Sequence, residues 1–160
     1  VIALRKILNI FKEEILPDSV FVDFGCGKGR VLLIASEFAF KEVRGVEFAH
    51  ELCEIAQKNC VVYQSKRGIK DKIKIIENCA ENYVIKSDES FFYLYNPFNE
   101  VVLRKVIENI AESLKANYRK IWIIYCYPKQ RNVIDEQFKI FKELQLSKFK
   151  VIIYSNSESA

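Results

Sequence analysis

The chain has 160 residues, half of them hydrophobic and 29% charged, with a formal net charge of +4. A chain of this length can build one sizeable core, so we expect a single domain over residues 1–160. The basic residues are scattered along expected helix faces and do not form the concentrated stripe of a dedicated nucleic-acid-binding protein. No apolar run is long enough to span a membrane and no signal peptide is recognisable, so we expect a cytoplasmic protein without a membrane partner.

The five cysteines are odd in number and form no C-x-x-C pair, and the chain has one histidine. These counts predict reduced thiols and no metal site. The chain opens on Val1 and contains no methionine, which leaves open that an N-terminal segment precedes it.

In chain order, the first expected element is an amphipathic helix over residues 1–16 that ends before Pro17. Its apolar face comprises Leu4, Ile7, Leu8, Phe11 and Ile15. A short apolar strand over residues 20–23 follows, then a glycine-rich loop and a helix over residues 30–40. A strand, a glycine loop and a helix N-terminus together form the place where nucleotide-like ligands bind in α/β proteins.

The glycine loop contains Gly25, Gly27 and Gly29 and follows an acid, Asp23. The dinucleotide fingerprint would need its third glycine where this chain has Arg30. A pyrophosphate binds bare backbone N–H groups at a helix N-terminus, and the Asp23 carboxylate would repel it but attract an ammonium group. The loop therefore favours a ligand that carries an ammonium group over NAD or FAD, and a purely structural loop is the remaining alternative.

A second acid, Glu47, lies in the next expected strand, over residues 43–48, about twenty residues after the loop. An acid at this position accepts hydrogen bonds from the hydroxyls of a ribose. The ring of Phe48 would then lie against the adenine base of such a nucleotide-like ligand. The alternative is a solvated acid at a strand end, and in either case we expect Glu47 to lie outside the core.

The remaining expected elements alternate between helices and strands. They are helices over residues 51–66, 99–115 (capped by Asn99) and 133–137, strands over 72–77, 91–95 and 121–125, two alternating segments over 138–141 and 149–154, and a frayed tail over 155–160. Strand–helix alternation requires parallel strands joined by right-handed crossovers. The sequence therefore predicts an α/β fold with a Rossmann-like doubly wound sheet, mainly parallel, of seven strands with an antiparallel C-terminal hairpin at one edge.

Asp23 and the three glycines resemble motif I of class I S-adenosylmethionine-dependent methyltransferases, and Glu47 at its spacing after the loop supports this resemblance. The resemblance extends over residues 18–127, is to small bacterial members of unassigned substrate, and implies S-adenosyl-L-methionine as the cofactor. The loop followed by arginine is also similar to that of some protein-lysine methyltransferases. The cofactor-binding residues that the resemblance implies are Asp23, Phe24, Gly25, Cys26, Gly27, Gly29, Glu47, Phe48, Cys79, Ala80 and Asn96.

The turn after the third expected strand departs from the family pattern. That turn usually reads Gly-Asp-Ala, and its aspartate accepts a hydrogen bond from the adenine amino group. Here Asn78, Cys79 and Ala80 stand in its place. A thiol is a poor acceptor, so we expect adenine recognition to rest on backbone groups or on Asn78.

Asn96, Pro97 and Phe98 resemble motif IV of amino-directed methyltransferases, [Asp/Asn/Ser]-Pro-Pro-[Tyr/Phe], with one proline missing. The resemblance implies that Asn96 and Pro97 are catalytic, since a side-chain and a backbone carbonyl could accept the hydrogens of an amine and direct its lone pair at the methyl carbon. The alternative is a turn that only joins a strand to a helix.

The lone histidine, His50, is expected at the surface, so the predicted cleft offers no base for a hydroxyl, and a nitrogen acceptor or one that is already ionised is favoured. The expected acceptor is a protein side chain or a small amine, and a nucleic acid stays open. Two alternatives remain: a cofactor-binding domain without catalysis that acts as a partner subunit and, less favoured, an NAD-dependent oxidoreductase. The sequence does not indicate the oligomeric state.

Overall fold

Strands and helices alternate along residues 2–156, the part of the chain that this computed structural model describes. The strands are β1 (Val20–Phe24), β2 (Glu42–Glu47), β3 (Ile73–Glu77), β4 (Glu89–Tyr95), β5 (Trp122–Cys126), β6 (Lys139–Leu146) and β7 (Phe149–Ser155). The α-helices are α1 (Ile2–Ile10), α2 (Arg30–Ala35), α3 (His50–Arg67), α4 (Glu100–Ala116) and α5 (Arg131–Asp135), and a 3-10 turn covers Ala80–Asn82.

The seven strands form one sheet in the order β3-β2-β1-β4-β5-β7-β6. The first five strands are parallel, and β7 runs antiparallel to both β5 and β6. The predicted doubly wound sheet with a C-terminal hairpin at one edge is therefore confirmed. The β6–β7 pairing shifts register between Ile140 and Lys142 on the outermost strand.

Alternating side chains of the central strands fill two apolar layers, one on each face of the sheet. In β1, Phe21 belongs to the layer that α1 and α2 cover, whereas Val20, Val22 and Phe24 belong to the layer under α4 and α5. This burial on both faces is the reason that β5 and the first three residues of β1 read as continuous apolar runs. No helix within residues 2–156 is long and apolar enough to cross a membrane.

Two of the predicted helices end earlier than expected. The first ends at Ile10, and Phe11 and Ile15 still reach the core from the turns that follow, as Ile15 N donates to Phe11 O at 2.9 Å. The second ends at Ala35, where the Ser36 hydroxyl donates to the Leu33 carbonyl at 2.7 Å. Phe40 is thereby free to pack against core aromatic rings instead of continuing the helix.

The C-terminal segment is more ordered than predicted. Ser155 belongs to β7, and the Asn156 side chain accepts from Ile121 N at 2.9 Å and donates to Arg119 O at 2.7 Å. The rest of the predicted tail, residues 157–160, lies outside the described residues, as does Val1.

Candidate active site

The glycine loop follows β1, and its three glycines all have positive φ angles but different surroundings. A Cβ atom at Gly27 would meet nothing within 4 Å, so this residue faces open space. A Cβ at Gly29 would lie 3.3 Å from the Ala56 Cβ and 3.4 Å from the Cys60 Sγ. Gly29 therefore allows the start of α2 to approach α3, whereas Gly27 leaves room for a ligand.

Asp23 lies at the carboxyl end of β1 and is only 3% exposed. Burial, and then the charge of Glu47, raise the pKa of its carboxyl from 3.8 to about 8. Among residues 2–156 no donor forms a hydrogen bond with this carboxylate. Because a buried charge is costly unless it is paired, the site suits a ligand that brings its own cation, such as an ammonium group.

Glu47 ties the glycine loop to the beginning of α3. One of its carboxylate oxygens accepts from Gly27 N at 3.0 Å, and the other accepts from Phe48 N and Ala49 N, each at 3.0 Å. The side chain is 5% exposed. The expectation that Glu47 lies outside the core is therefore wrong, because its carboxylate is buried as the acceptor for three backbone N–H groups.

A cleft of about 570 Å³ opens beside the loop, at the carboxyl edge of the parallel strands. Seven of the predicted site residues line it: Gly25, Gly27, Glu47, Phe48, Cys79, Ala80 and Pro97. Phe48 is 73% exposed there, so its ring is available to a ligand. Five further residues line the cleft although no sequence motif marks them as cofactor contacts: Leu52, Glu81, Tyr95, Phe98 and Val102.

Several predicted residues do not line the cleft. The Phe24 ring packs in the core against Tyr83 and Phe92, and Cys26 lies against Gly45, where a Cβ would be 2.7 Å from the Cys26 Sγ. Asp23, Gly29 and Asn96 also stand outside the lining set. The side chains of Phe24 and Cys26 are thus explained by packing alone.

The turn that contains Asn96 and Pro97 rests directly on the glycine loop. A Cβ at Gly25 would lie 2.9 Å from the Pro97 Cβ, so only glycine fits at this contact. Asn96 has a φ angle of 44°, and its side-chain oxygen accepts from the Tyr125 hydroxyl at 3.1 Å. Asn99 caps α4 as predicted, since its side chain accepts from Val102 N at 3.0 Å.

His50 is exposed and lies outside the cleft lining. Its Nδ1 is 2.8 Å from a carboxylate oxygen of Glu77, and this contact raises the pKa of the imidazole. The predicted surface position is confirmed.

We expect Glu47→Gln to weaken both the fold and the binding of a cofactor. The amide has one oxygen where the carboxylate has two, so the N–H of Gly27 or those of Phe48 and Ala49 lose their acceptor. Leaving buried N–H groups unpaired costs about 1–3 kcal/mol of unfolding free energy. Thermal melting and calorimetry with S-adenosylhomocysteine measure the two effects. Glu51→Gln, on the exposed first turn of α3, is the control, and equal melting temperatures for the two variants would contradict this role of Glu47.

The family model described as histone methylation protein DOT1 matches residues 4–91. No curated protein matches the chain by sequence. Among solved structures, the chain is similar to an RNA methyltransferase from Salinibacter ruber in complex with S-adenosyl-L-homocysteine, with 16% identity, a TM-score of 0.73, and coverage of 99% of this chain and 92% of that one.

Two further solved structures are also similar. A SAM-dependent methyltransferase from Aquifex aeolicus has 12% identity and a TM-score of 0.74, with coverage of 96% of this chain and 89% of that one. The N-methyltransferase NodS from Bradyrhizobium japonicum, in complex with S-adenosyl-L-homocysteine, has 11% identity and a TM-score of 0.66, with coverage of 88% and 79%. At these identities the similarity concerns the fold.

Proposed function

Because the chain belongs to the family of histone methylation protein DOT1 and is an S-adenosylmethionine-dependent methyltransferase, we propose that it methylates a nitrogen atom on a protein or a small molecule. The family description concerns protein methylation, which favours a protein amine as the acceptor. Membership in this family leaves no role for the NAD-dependent alternative.

We assign cofactor binding to the residues around the glycine loop. S-adenosylmethionine supplies an electrophilic methyl group on a sulfonium. Asp23 would accept hydrogen bonds from the ammonium group of its amino-acid tail, which supplies the cation that this buried carboxylate lacks. Phe48 presents an exposed ring to the adenine. Glu47 would use its one remaining lone pair, on the oxygen that accepts from Gly27 N, for a ribose hydroxyl.

The adenine amino group has no carboxylate partner at the position where the family usually has one. Cys79 is exposed and lines the cleft beside Ala80. Because a thiol is a weak acceptor, we assign this contact to the backbone of residues 78–80.

The contact between Pro97 and Gly25 is the observation that carries the proposed nitrogen acceptor. It holds the turn against the loop that would bind the cofactor, which supports a position of the Asn96 carbonyl groups near the reacting end of a bound cofactor. These carbonyls can accept the hydrogens of an amine and direct its lone pair. The residues that line the cleft include no histidine, which fits an acceptor that needs no general base.

We expect Asn96→Ala to lower turnover about a hundredfold per folded molecule, since the loss of one aligned donor–acceptor contact at a transition state has about this effect. The affinity for S-adenosylhomocysteine should change far less. The assay follows transfer of a radiolabelled methyl group to a histone mixture, to small alkyl amines and to RNA.

Asn99→Ala is the matched control, because it removes a helix cap about 1 kcal/mol in strength and touches no reacting group. If Asn96→Ala keeps its turnover per folded molecule, the nitrogen-acceptor proposal fails. Label incorporated only into RNA would also contradict it. A wild-type protein that binds S-adenosylhomocysteine but labels none of the three would favour the alternative of a partner subunit without catalysis.

A further inference from the structure

The loop after β5 contacts the Asn96–Pro97 turn through a chain of hydrogen bonds. The Tyr125 hydroxyl donates to the Asn96 side-chain oxygen at 3.1 Å and accepts from the Gln130 backbone N–H at 3.4 Å. Tyr125 is 1% exposed, and burial raises the pKa of its hydroxyl, so the group keeps its proton at neutral pH. Because Gln130 donates to the hydroxyl oxygen, the hydroxyl proton is directed at Asn96.

The Gln130 side chain forms hydrogen bonds with the residues that follow Pro97 in the same turn. In the orientation that satisfies both neighbours, its amide nitrogen donates to the Phe98 carbonyl at 3.1 Å and its oxygen accepts from the Glu100 N–H at 3.2 Å. One residue therefore anchors the turn through its side chain and orients Tyr125 through its backbone. This arrangement joins β5 to the segment that follows β4.

An asparagine amide has two ends with opposite hydrogen-bonding character, and rotation of the amide exchanges them. The Tyr125 hydroxyl favours the orientation in which the oxygen of Asn96 faces it, which leaves the second lone pair of that oxygen for another donor. The backbone of Asn96 is itself held in the left-handed region, at a φ angle of 44°. A side chain held in this way suits the precise placement of a reacting amine.

We propose that Tyr125 and Gln130 are positioning residues that fix the orientation of the Asn96 amide for the methyl acceptor. The inference rests on the proposed function, since it gives Asn96 the role of an acceptor contact. Neither residue needs to touch the cofactor or the substrate, and neither lines the cleft.

Comparing two ligands tests this inference without knowledge of the natural acceptor. Sinefungin carries an amine on the carbon that replaces the methyl-bearing sulfur of the cofactor, so its amine points where the acceptor lies. S-adenosylhomocysteine has no group there. The ratio of their dissociation constants, from calorimetry, reports the contact with Asn96 separately from the rest of the binding site.

We expect wild-type protein to bind sinefungin about tenfold more tightly than S-adenosylhomocysteine, the scale of one hydrogen bond to a charged group. Tyr125→Phe should lose most of this preference while its affinity for S-adenosylhomocysteine stays within about twofold, a change too small for a lost hydrogen bond. Asn96→Ala should lose the preference as well. Tyr154→Phe is the matched control, since Tyr154 is buried in the same layer and donates to Asp135, away from the cleft.

A preference unchanged in Tyr125→Phe, or lost equally in Tyr154→Phe, overturns the inference. A wild-type protein that binds both ligands equally also overturns it, while leaving the cofactor assignment intact. If wild-type protein binds neither ligand, the proposed function itself fails. Should Tyr125→Phe not fold, Gln130→Ala decides the matter, because it removes the side-chain hydrogen bonds that anchor the turn at the Phe98 carbonyl and the Glu100 N–H and keeps the backbone N–H that donates to Tyr125: the preference falls if the inference is right and stays if it is wrong.

Discussion

We expect Gly27→Val to lower the affinity for S-adenosylhomocysteine by more than about a hundredfold, since steric and backbone strain of 1–3 kcal/mol each combine at this position. The glycine has a φ angle of 53°, which a β-branched residue avoids, and its missing side chain opens onto the cleft. A valine side chain would occupy that space. Calorimetry of the folded variant measures the loss.

Gly68→Val separates the effect of occupied space from that of backbone strain. Gly68 ends α3 with a φ angle of 66°, and a Cβ there also meets nothing within 4 Å, but it does not line the cleft. The melting temperatures of the two variants should therefore fall by similar amounts. Only Gly27→Val should lose affinity for S-adenosylhomocysteine. Wild-type affinity in a folded Gly27→Val protein would mean that the loop is purely structural.

We expect Asp23→Asn to stabilise the protein near pH 8 and to weaken cofactor binding about a hundredfold, because a hydrogen bond to a charged group contributes about 1.5–3 kcal/mol. The pKa of Asp23 is raised in the folded protein to about 8 from 3.8. The folded state therefore binds this proton more tightly than the unfolded state, and wild-type stability is lost as the pH rises from about 4 to about 8. Asparagine resembles the protonated carboxyl at every pH and escapes this loss.

The same titration predicts that wild-type affinity for S-adenosylhomocysteine falls as the pH drops below about 8, since the ammonium group needs the ionised Asp23 carboxylate. Melting temperature and dissociation constant between pH 5 and pH 9 measure both effects. Asp18→Asn removes an exposed carboxylate, so its melting temperature and its dissociation constant should change with pH as those of the wild type do. An Asp23→Asn variant with wild-type affinity would exclude this residue from the cofactor site.

The elements that the sequence predicts well are those with a local signature. A continuous apolar run is explained by burial on both faces, and a glycine cluster after it marks a tight turn, so β1 and its loop were expected almost residue by residue. Asn99 is a further case, because a capping side chain acts within one helical turn. Such features depend on neighbours in sequence.

The roles that the sequence did not reveal depend on contacts between distant segments. Glu47 reads as a strand-end acid, and only the folded loop brings the Gly27 N–H to its carboxylate, 20 positions away in the chain. Tyr125 lies in an apolar strand and carries no sign that its hydroxyl meets Asn96. Arg44 is similar: it reads as a strand residue, yet it is buried in an ion cluster with Glu42, Asp88 and Glu89.

The register shift in the outermost strand bears on whether the open edge of the sheet can pair with another molecule. An edge strand presents unpaired N–H and C=O groups that can recruit the strand of another molecule. Here β6 also exposes the apolar side chains of Ile140 and Phe141, which would favour such pairing. The irregularity beside them and the charge of Lys142 interrupt a flat template for aggregation. A variant of β6 that pairs with β7 without this register shift should therefore still fold, but it should self-associate more readily into sheet-like aggregates.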